Sequence, residues 1–422
     1  MASPIRNDAR SPRWSAKRTL LTVGAATIAL ALSIDQGRRQ RIGQDFHVFW
    51  QAGRNFATGH PLYHDYLPGA RPLKYPPFAA LVFQPLGLFP LPVAAGLFSF
   101  LNLILWVVAV RLTRDIVAAA LPDREPGPVP LGLAVVFTAQ FFLDNFHHAQ
   151  MNGVILVLVL LGVRAYQRGR DRWSAAAIVA ATAIKITPVF FAAWLVLRGR
   201  RRAALAVPVL ALAAVAVPLV LRGPATGAAE LTEYYHTFLE GHQHGDSGTY
   251  TAGQNVAAFV SRMTRPGDGD GRRSYRLLPV AETTAQHVYQ ALWVTVLLLF
   301  LGKLVQLRRR GAPPGGLEFG LVFLTALLLS PITFTTHLVS LLFVYAAFLS
   351  LRPETLSRGG RPVAALALAG MAVTGLSGRD LVGDTVYLSV AGYSIFVWTM
   401  LLLFGAALVL AGRQTPATKF TA

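Results

Sequence analysis

Apolar runs close to the length of a membrane span recur along this chain from Thr19 to Leu410. Crossing the hydrocarbon core takes about 20 mostly apolar residues as a helix. Lipid offers no partner to a free backbone N–H or C=O, so the segment must close its own hydrogen bonds. A soluble protein of 422 residues would show about two or three amphipathic domains instead. Here 54% of residues are apolar and only 14% charged, and the polar stretches read as loops. The expectation is an all-α, polytopic membrane protein, a single transmembrane domain over residues 1–422. About twelve spans fall near 19–34, 87–110, 130–143, 151–166, 173–186, 188–198, 203–221, 286–306, 316–330, 336–351, 362–377 and 387–411.

The net charge of +19 is not spread over a surface, as nucleic-acid binding would need; it sits in short arginine clusters between apolar runs. That pattern orients membrane helices with the clusters in the cytoplasm. With the N-terminus inside, the N-terminal cluster (Arg13, Lys17, Arg18) and six others fall on one side. These are Arg111/Arg114, Arg164 to Arg172, Arg198 to Arg202, Arg308 to Arg310, Arg352 to Arg361 and Arg413/Lys419. Both termini are then cytoplasmic in the plasma membrane, and the long loops 35–86 and 222–285 lie outside. Ala29-Leu30-Ala31 after the first apolar stretch also resembles a signal-peptide cleavage site. The polytopic continuation favours a retained first span, which the charge pattern needs in order to close. The chain has no cysteine, which excludes disulfides, thiolate metal sites and cysteine nucleophiles.

Against this background an acid near the membrane needs a reason. Gly43-Gln44-Asp45-Phe46-His47-Val48-Phe49-Trp50 puts one just after the first span, in a chain with 39 basic and only 20 acidic residues. From Asp45 the apolar residues Phe46, Phe49, Trp50, Gly53 and Phe56 follow helical spacing, with His47, Gln51, Arg54, Asn55 and Thr58 on the polar side. Gly59 is a helix stop. The pattern predicts an amphipathic helix lying on the outer membrane surface, its Phe and Trp toward lipid or the bundle. Asp45 reads equally as its N-cap or as a catalytic acid. His47 reads as a surface histidine or an acid–base group. Tyr75-Pro76-Pro77-Phe78 reads as a rigid turn into the next span.

A second anomaly lies in the stretch from Trp173 to Arg198. Lys185-Ile186-Thr187-Pro188 interrupts an apolar run, and the residue before a proline resists the helical region, so a break is expected. Non-helical backbone at that depth is tolerated beside protein or a water-filled cavity. Lys185 reads as a snorkelling lysine or as an anion site.

Together these pieces resemble a known family. Asp45, then Gly59-His60-Pro61-Leu62-Tyr63, then Lys74-Tyr75-Pro76-Pro77 is similar to the N-terminal signature of glycosyltransferase family 87. Gln150-Met151-Asn152-Gly153 resembles its Gly-Gln-x-Asn block, with Ala149 where glycine is usual. Ala183-Ile184-Lys185-Ile186-Thr187-Pro188 resembles its Lys-x-x-Pro block. Ser330-Pro331-Ile332-Thr333-Phe334-Thr335-Thr336-His337 resembles its Ser-Pro-x-Ser-Trp-x-x-His block, with Phe334 for tryptophan. The resemblance implies a GT-C fold and use of polyprenyl-phosphate sugars, usually mannose. It also implies inverting transfer of a hexosyl residue to a glycolipid or envelope glycan on the outer face, with no cofactor and no metal.

The resemblance assigns Asp45 as the catalytic base. Glycosyl transfer from a lipid phosphate needs such a base for the acceptor hydroxyl and a cationic site for the departing phosphate. Lys185 and His337 are the candidates for the phosphate. His47, Tyr75, Gln150, Asn152, Gln254 and Asn255 are candidates for sugar or acceptor contacts, with His147 and His148 nearby. His337 also reads as an interfacial histidine, and Gln150 and Asn152 as helix-packing amides. In the second long loop, His242-x-His244 has metal-ligand spacing, and Asp268-Gly269-Asp270 imitates the Asp-x-Asp of nucleotide-sugar enzymes. Their Gly-rich surroundings read better as flexible turns.

Three other readings compete. One is transfer of arabinose or glucose from the same kind of carrier. Another is a lipid or glycan transporter, which would place charges near mid-membrane and show repeated halves. The last is a non-enzymatic subunit of an envelope complex. Convergence of Asp45, Lys185 and His337 on one outward cavity discriminates the enzyme from the last two.

Overall fold

The computed structural model describes residues 16–42, 44–63, 71–121, 127–240, 251–265, 275–352, 354 and 356–412. The His242/His244 and Asp268/Asp270 pairs, Arg13, Arg413 and Lys419 lie outside the described residues. Among the described residues the chain is helical, with one isolated bridge between Gly253 and Phe334. The helices are α1 (Ala16–Arg39), α2 (Asp45–Thr58), α3 (Pro77–Gly87), α4 (Leu91–Ala119), α5 (Pro128–His147), α6 (Asn152–Gln167), α7 (Asp171–Ile184), α8 (Val189–Arg198) and α9 (Arg201–Arg222). They continue as α10 (Pro224–Tyr234), α11 (Val256–Thr264), α12 (Glu282–Arg309), α13 (Gly316–Leu329), α14 (Leu341–Leu349), α15 (Gly360–Gly375), α16 (Arg379–Gly392) and α17 (Ile395–Leu410). A π-helical turn (Tyr235–Glu240) follows α10, and a 3-10 turn (Thr335–Ser340) precedes α14.

Among the described residues four helices, α4, α5, α9 and α12, are long and apolar enough to cross a membrane. The pair α15 and α16 would add a fifth, but it is bent by 104°. The expected count of about twelve is therefore not reached on length alone, and the physical reason is visible. Helix α13 has 14 residues, about 21 Å at 1.5 Å per residue, against a hydrocarbon core of about 30 Å. It is buried along almost its whole length, as is α14. Protein surrounds these two, so neither needs to match the bilayer by itself. The long helices face outward instead: Leu205, Val209, Leu212 and Val220 of α9 are exposed, as are Leu97, Leu101 and Ile104 of α4. An apolar outer surface of this extent suits lipid.

The basic turns gather at one end of the bundle. Gln167 donates to the carbonyl of Ile116, which brings the Arg111/Arg114 turn beside the Arg164 to Arg172 turn. Arg200 pairs with Asp171 at 3.2 Å. Arg308 donates to the carbonyl of Leu197 at 2.6 Å. Buried Arg198 is held by Glu318 at 2.8 Å, and the Trp194 indole donates to the same carboxylate at 2.7 Å. Gly412 lies against Leu307, and Gly360 against Leu410, so the Arg352 to Arg361 turn joins them.

One local expectation holds and one changes. The Lys185 stretch is two helices, α7 and α8, rather than one kinked helix; Lys185 takes an extended conformation at φ −148°, ψ 125°. Helix α2 is not a half-immersed surface helix. Phe46, Phe49 and Phe56 are buried, but so are His47, Gln51 and Asn55. Both faces are covered by protein, with α3 packed along one side. Gly53 makes that approach close: an added Cβ would lie 2.3 Å from the carbonyl oxygen of Phe83. Gly59 ends α2 at φ +80°, as expected.

Candidate active site

The end of the bundle opposite the basic turns holds a cavity of about 940 Å³. Its wall comes from helix ends and breaks: the start of α2, residues 71–75, the end of α5, the α7–α8 break, the α10 end, the 3-10 turn and α16. Asp45, Tyr75, Gln150, Lys185 and His337 line it together. The three residues whose convergence was the discriminating test line this one cavity.

Asp45 is the first residue of α2, and Gln44 occupies the cap position, with no side-chain cap bond. The N-cap reading of Asp45 is thereby corrected. Its carboxylate faces the cavity, about one-fifth exposed, held by two donors. Arg71 Nη1 lies 2.7 Å from Oδ1, and Gln150 Nε2 donates to Oδ2 at 2.7 Å. Each oxygen keeps a lone pair for a third group, so the acid is oriented and still able to accept a proton.

Lys185 sits at the break after α7 with its amine buried. Nζ donates to Asn152 Oδ1 at 2.7 Å and lies 2.8 Å from His337 Nε2. It lies over the Tyr75 ring, 5.8 Å from the centroid, a cation–π placement for an ammonium. His337 Nδ1 accepts the Phe334 N–H at 3.0 Å, which leaves Nε2 to face the amine. Asn152 does not line the cavity; it stands behind Lys185 and also bonds the Thr336 carbonyl at 3.2 Å. The tip of Tyr75 is buried, which pushes its phenol well above the usual range and keeps it a neutral hydroxyl.

The turn between α5 and α6 explains one departure from the family pattern. Ala149 has φ +44°, a conformation that glycine adopts at little cost. That turn sets His148 and Gln150 on the cavity wall. His148 Nδ1 is 2.9 Å from the Asp144 carbonyl and 3.2 Å from its carboxylate. The Asp144 carboxylate raises the imidazole to about 9. Thr335 donates to the other carboxylate oxygen.

Besides Asn152, three sugar or acceptor candidates do not line the cavity. His47 is fully buried in α2, away from the cavity, and burial lowers its proton affinity. A residue two positions from Asp45 on a helix points to a different side, so both cannot face one cavity. Asn255 caps α11 by accepting the Ala258 N–H and donates to the carbonyls of Ser330 and Pro331, at 2.8 Å each. Gln254 donates to the carbonyls of Thr251 and Ala391. Both tie down the backbone of the wall instead of facing the cavity. Arg71 and Asp144 were missed by sequence reasoning. Arg71 stands just before the Lys74-Tyr75-Pro76-Pro77 block, and that adjacency was the only signal.

The profile described as Glycosyltransferase family 87 matches residues 73–331. A polyprenol-phosphate-mannose-dependent alpha-(1-2)-phosphatidylinositol mannoside mannosyltransferase of Mycobacterium tuberculosis is 27% identical over 392 residues, covering 88% of this chain and 84% of that protein. A polyprenol-phosphate-mannose-dependent alpha-(1-2)-phosphatidylinositol pentamannoside mannosyltransferase of the same species is 28% identical over 206 residues, covering 47% of this chain and 44% of that one. The crystal structure of ArnT from Cupriavidus metallidurans bound to undecaprenyl phosphate aligns with a TM-score of 0.42 at 16% identity, over 93% of this chain and 78% of that one.

Proposed function

The chain belongs to glycosyltransferase family 87 as a membrane glycosyltransferase, and from that premise we propose that it moves a mannosyl residue from a polyprenyl-phosphate sugar to a glycolipid or envelope-glycan hydroxyl. The observation that carries the reading is that one cavity is lined by Asp45 and by the Lys185–His337 pair. The relatives' dependence on polyprenol-phosphate-mannose supports the donor.

In this reading the acceptor oxygen attacks the anomeric carbon as the bond from that carbon to the phosphate oxygen breaks. The acceptor proton passes to Asp45, and the electron pair leaves with the phosphate. Attack opposite the leaving group inverts the anomeric centre. Lys185 and His337 offer N–H donors to the phosphate as its charge grows. Arg71 and Gln150 hold Asp45 against the acceptor hydroxyl. No step is routed through a metal.

The topology belongs to the same proposal. Helices α1, α4 to α9, α12 to α15 and α17 alternate between the two ends of the bundle, which makes about twelve crossings with the short helices shielded by protein. Placing the arginine turns in the cytoplasm puts the cavity on the outer face, in the GT-C arrangement that family membership implies.

The test is direct. Purified protein is incubated with polyprenyl-phosphate mannose, glucose and arabinose and with a membrane lipid extract, and products are read by mass. A hexose added from the mannose donor is expected. Pentose transfer alone would move the assignment to arabinose, and no transfer from any donor would overturn the reading.

A further inference from the structure

Three polar atoms on residues of the cavity wall have no hydrogen-bond partner among the described residues: Gln150 Oε1, Tyr234 Oη and Thr336 Oγ1. All three residues line the cavity. All three are buried, with relative exposures of 5%, 6% and 5%. A buried polar atom left without a partner bears its full desolvation cost, so such atoms call for an explanation.

They come from distant parts of the chain and meet around one node. Gln150 holds Asp45 with its amide nitrogen, which leaves its oxygen as an acceptor only. Thr336 is tied through its carbonyl to Asn152, the residue that also holds Lys185. Tyr234 ends α10, just before the π-helical turn, an irregularity frequent at functional sites. Its ring lies 6.3 Å from that of Tyr63, whose hydroxyl donates to the Tyr75 carbonyl at 2.7 Å. Tyr75 in turn lies beneath Lys185. The residues that carry the unsatisfied atoms therefore line the same cavity as the acid and the amine.

We propose that Gln150, Tyr234 and Thr336 form a hydroxyl-reading subsite for the sugar ring of the donor, and that they set which hexose is used. The inference rests on the reading of the cavity as a lipid-phosphate sugar site. Once the phosphate is at Lys185 and the anomeric carbon faces Asp45, the ring hydroxyls have to lie against the walls between them. An amide oxygen accepts from a sugar hydroxyl, and the tyrosine and threonine hydroxyls can donate or accept. A site built to bond a hydroxyl rejects an epimer that turns it away, because the buried partner is then left unpaired.

Tyr234→Phe and Thr336→Val each remove one of these hydroxyls and keep the shape. Each is tested in the purified full chain by two readouts. The first is the thermal midpoint without donor. It is expected to stay level or rise, because the deleted atom had no partner to lose; a fall in both variants would mean that the hydroxyls hold the fold, and would overturn the subsite. The second is kcat/KM with polyprenyl-phosphate mannose and polyprenyl-phosphate glucose. The preferred donor is expected to lose about tenfold or more while the other changes little, so that the ratio narrows. An active wild type whose variants discriminate normally, or change only the KM of the acceptor, sinks the subsite and leaves the proposed function standing. A wild type that uses neither sugar sinks both.

Discussion

Lys185 Nζ lies 2.8 Å from His337 Nε2, across 152 residues of sequence. With Nδ1 taken by the Phe334 N–H, the neutral ring carries its proton on Nε2, the atom that faces the amine. Across 2.8 Å that N–H donates to the amine lone pair, so both nitrogens become donors only when a phosphate oxygen separates them and the amine is protonated. A phosphate oxygen arriving there meets both.

Lys185→Met keeps the apolar stem and removes the charge. Losing a charge-assisted contact costs about 2 kcal/mol, roughly thirtyfold, in donor use. Expression should be unchanged. Lys185→Arg should recover only part, because the planar fork is wider than the ammonium. Donor titrations of both variants check this; wild-type kinetics in Lys185→Met would shift the phosphate role to His337 or to an outer-loop arginine.

Asp45→Asn keeps the size of the side chain and its contact with Arg71 through the amide oxygen. It removes the ability to take a proton near neutral pH. Transfer should fall at least about a hundredfold while the protein stays inserted and folded. Turnover measured on reconstituted protein decides, and near-normal turnover would mean that the base lies elsewhere.

Reporter fusions after residues 65, 170 and 260 should read outside, inside and outside. The shared end of the arginine turns motivates this, since that whole end must lie on one side. An inside reading at 65 would reverse the protein and remove the outer-face assignment of Asp45.

His148 should give the protein a pH-dependent component of stability. The Asp144 carboxylate raises the imidazole to about 9, so the charged pair is intact below about pH 6.5 and is lost as pH rises through about 9. The side chain is half exposed, so the component is small. Thermal midpoints of wild type and His148→Gln should differ most near pH 6 and converge by about pH 10. A constant gap across that range would assign the loss to packing.

Much of the site was legible because its pieces sit in punctuated sequence. Pro188 breaks a helix by removing an N–H and crowding the residue before it, so Lys185 could be placed at a break without any structure. Asp45 stood out because acids are scarce beside the spans. The surface-helix reading of α2 failed for a related reason. Periodicity reports two faces of different polarity, but not what covers the polar one, and His47, Gln51 and Asn55 turn out to be enclosed by protein.

The sequence by itself determined the helical class, the membrane setting and the one-sided placement of the arginine turns, and it singled out Asp45 and Lys185. Each of these follows from local composition, helical period or an ordered motif. Only the tertiary structure decided which groups meet. That Gln150 and Arg71 hold Asp45, that Asn152 stands behind Lys185, and that Gln254 and Asn255 tie down the wall depends on how helix ends dock across separations of 26 to 137 residues. A hydrogen bond needs its two atoms within about 3 Å, and no local pattern in the chain encodes that separation.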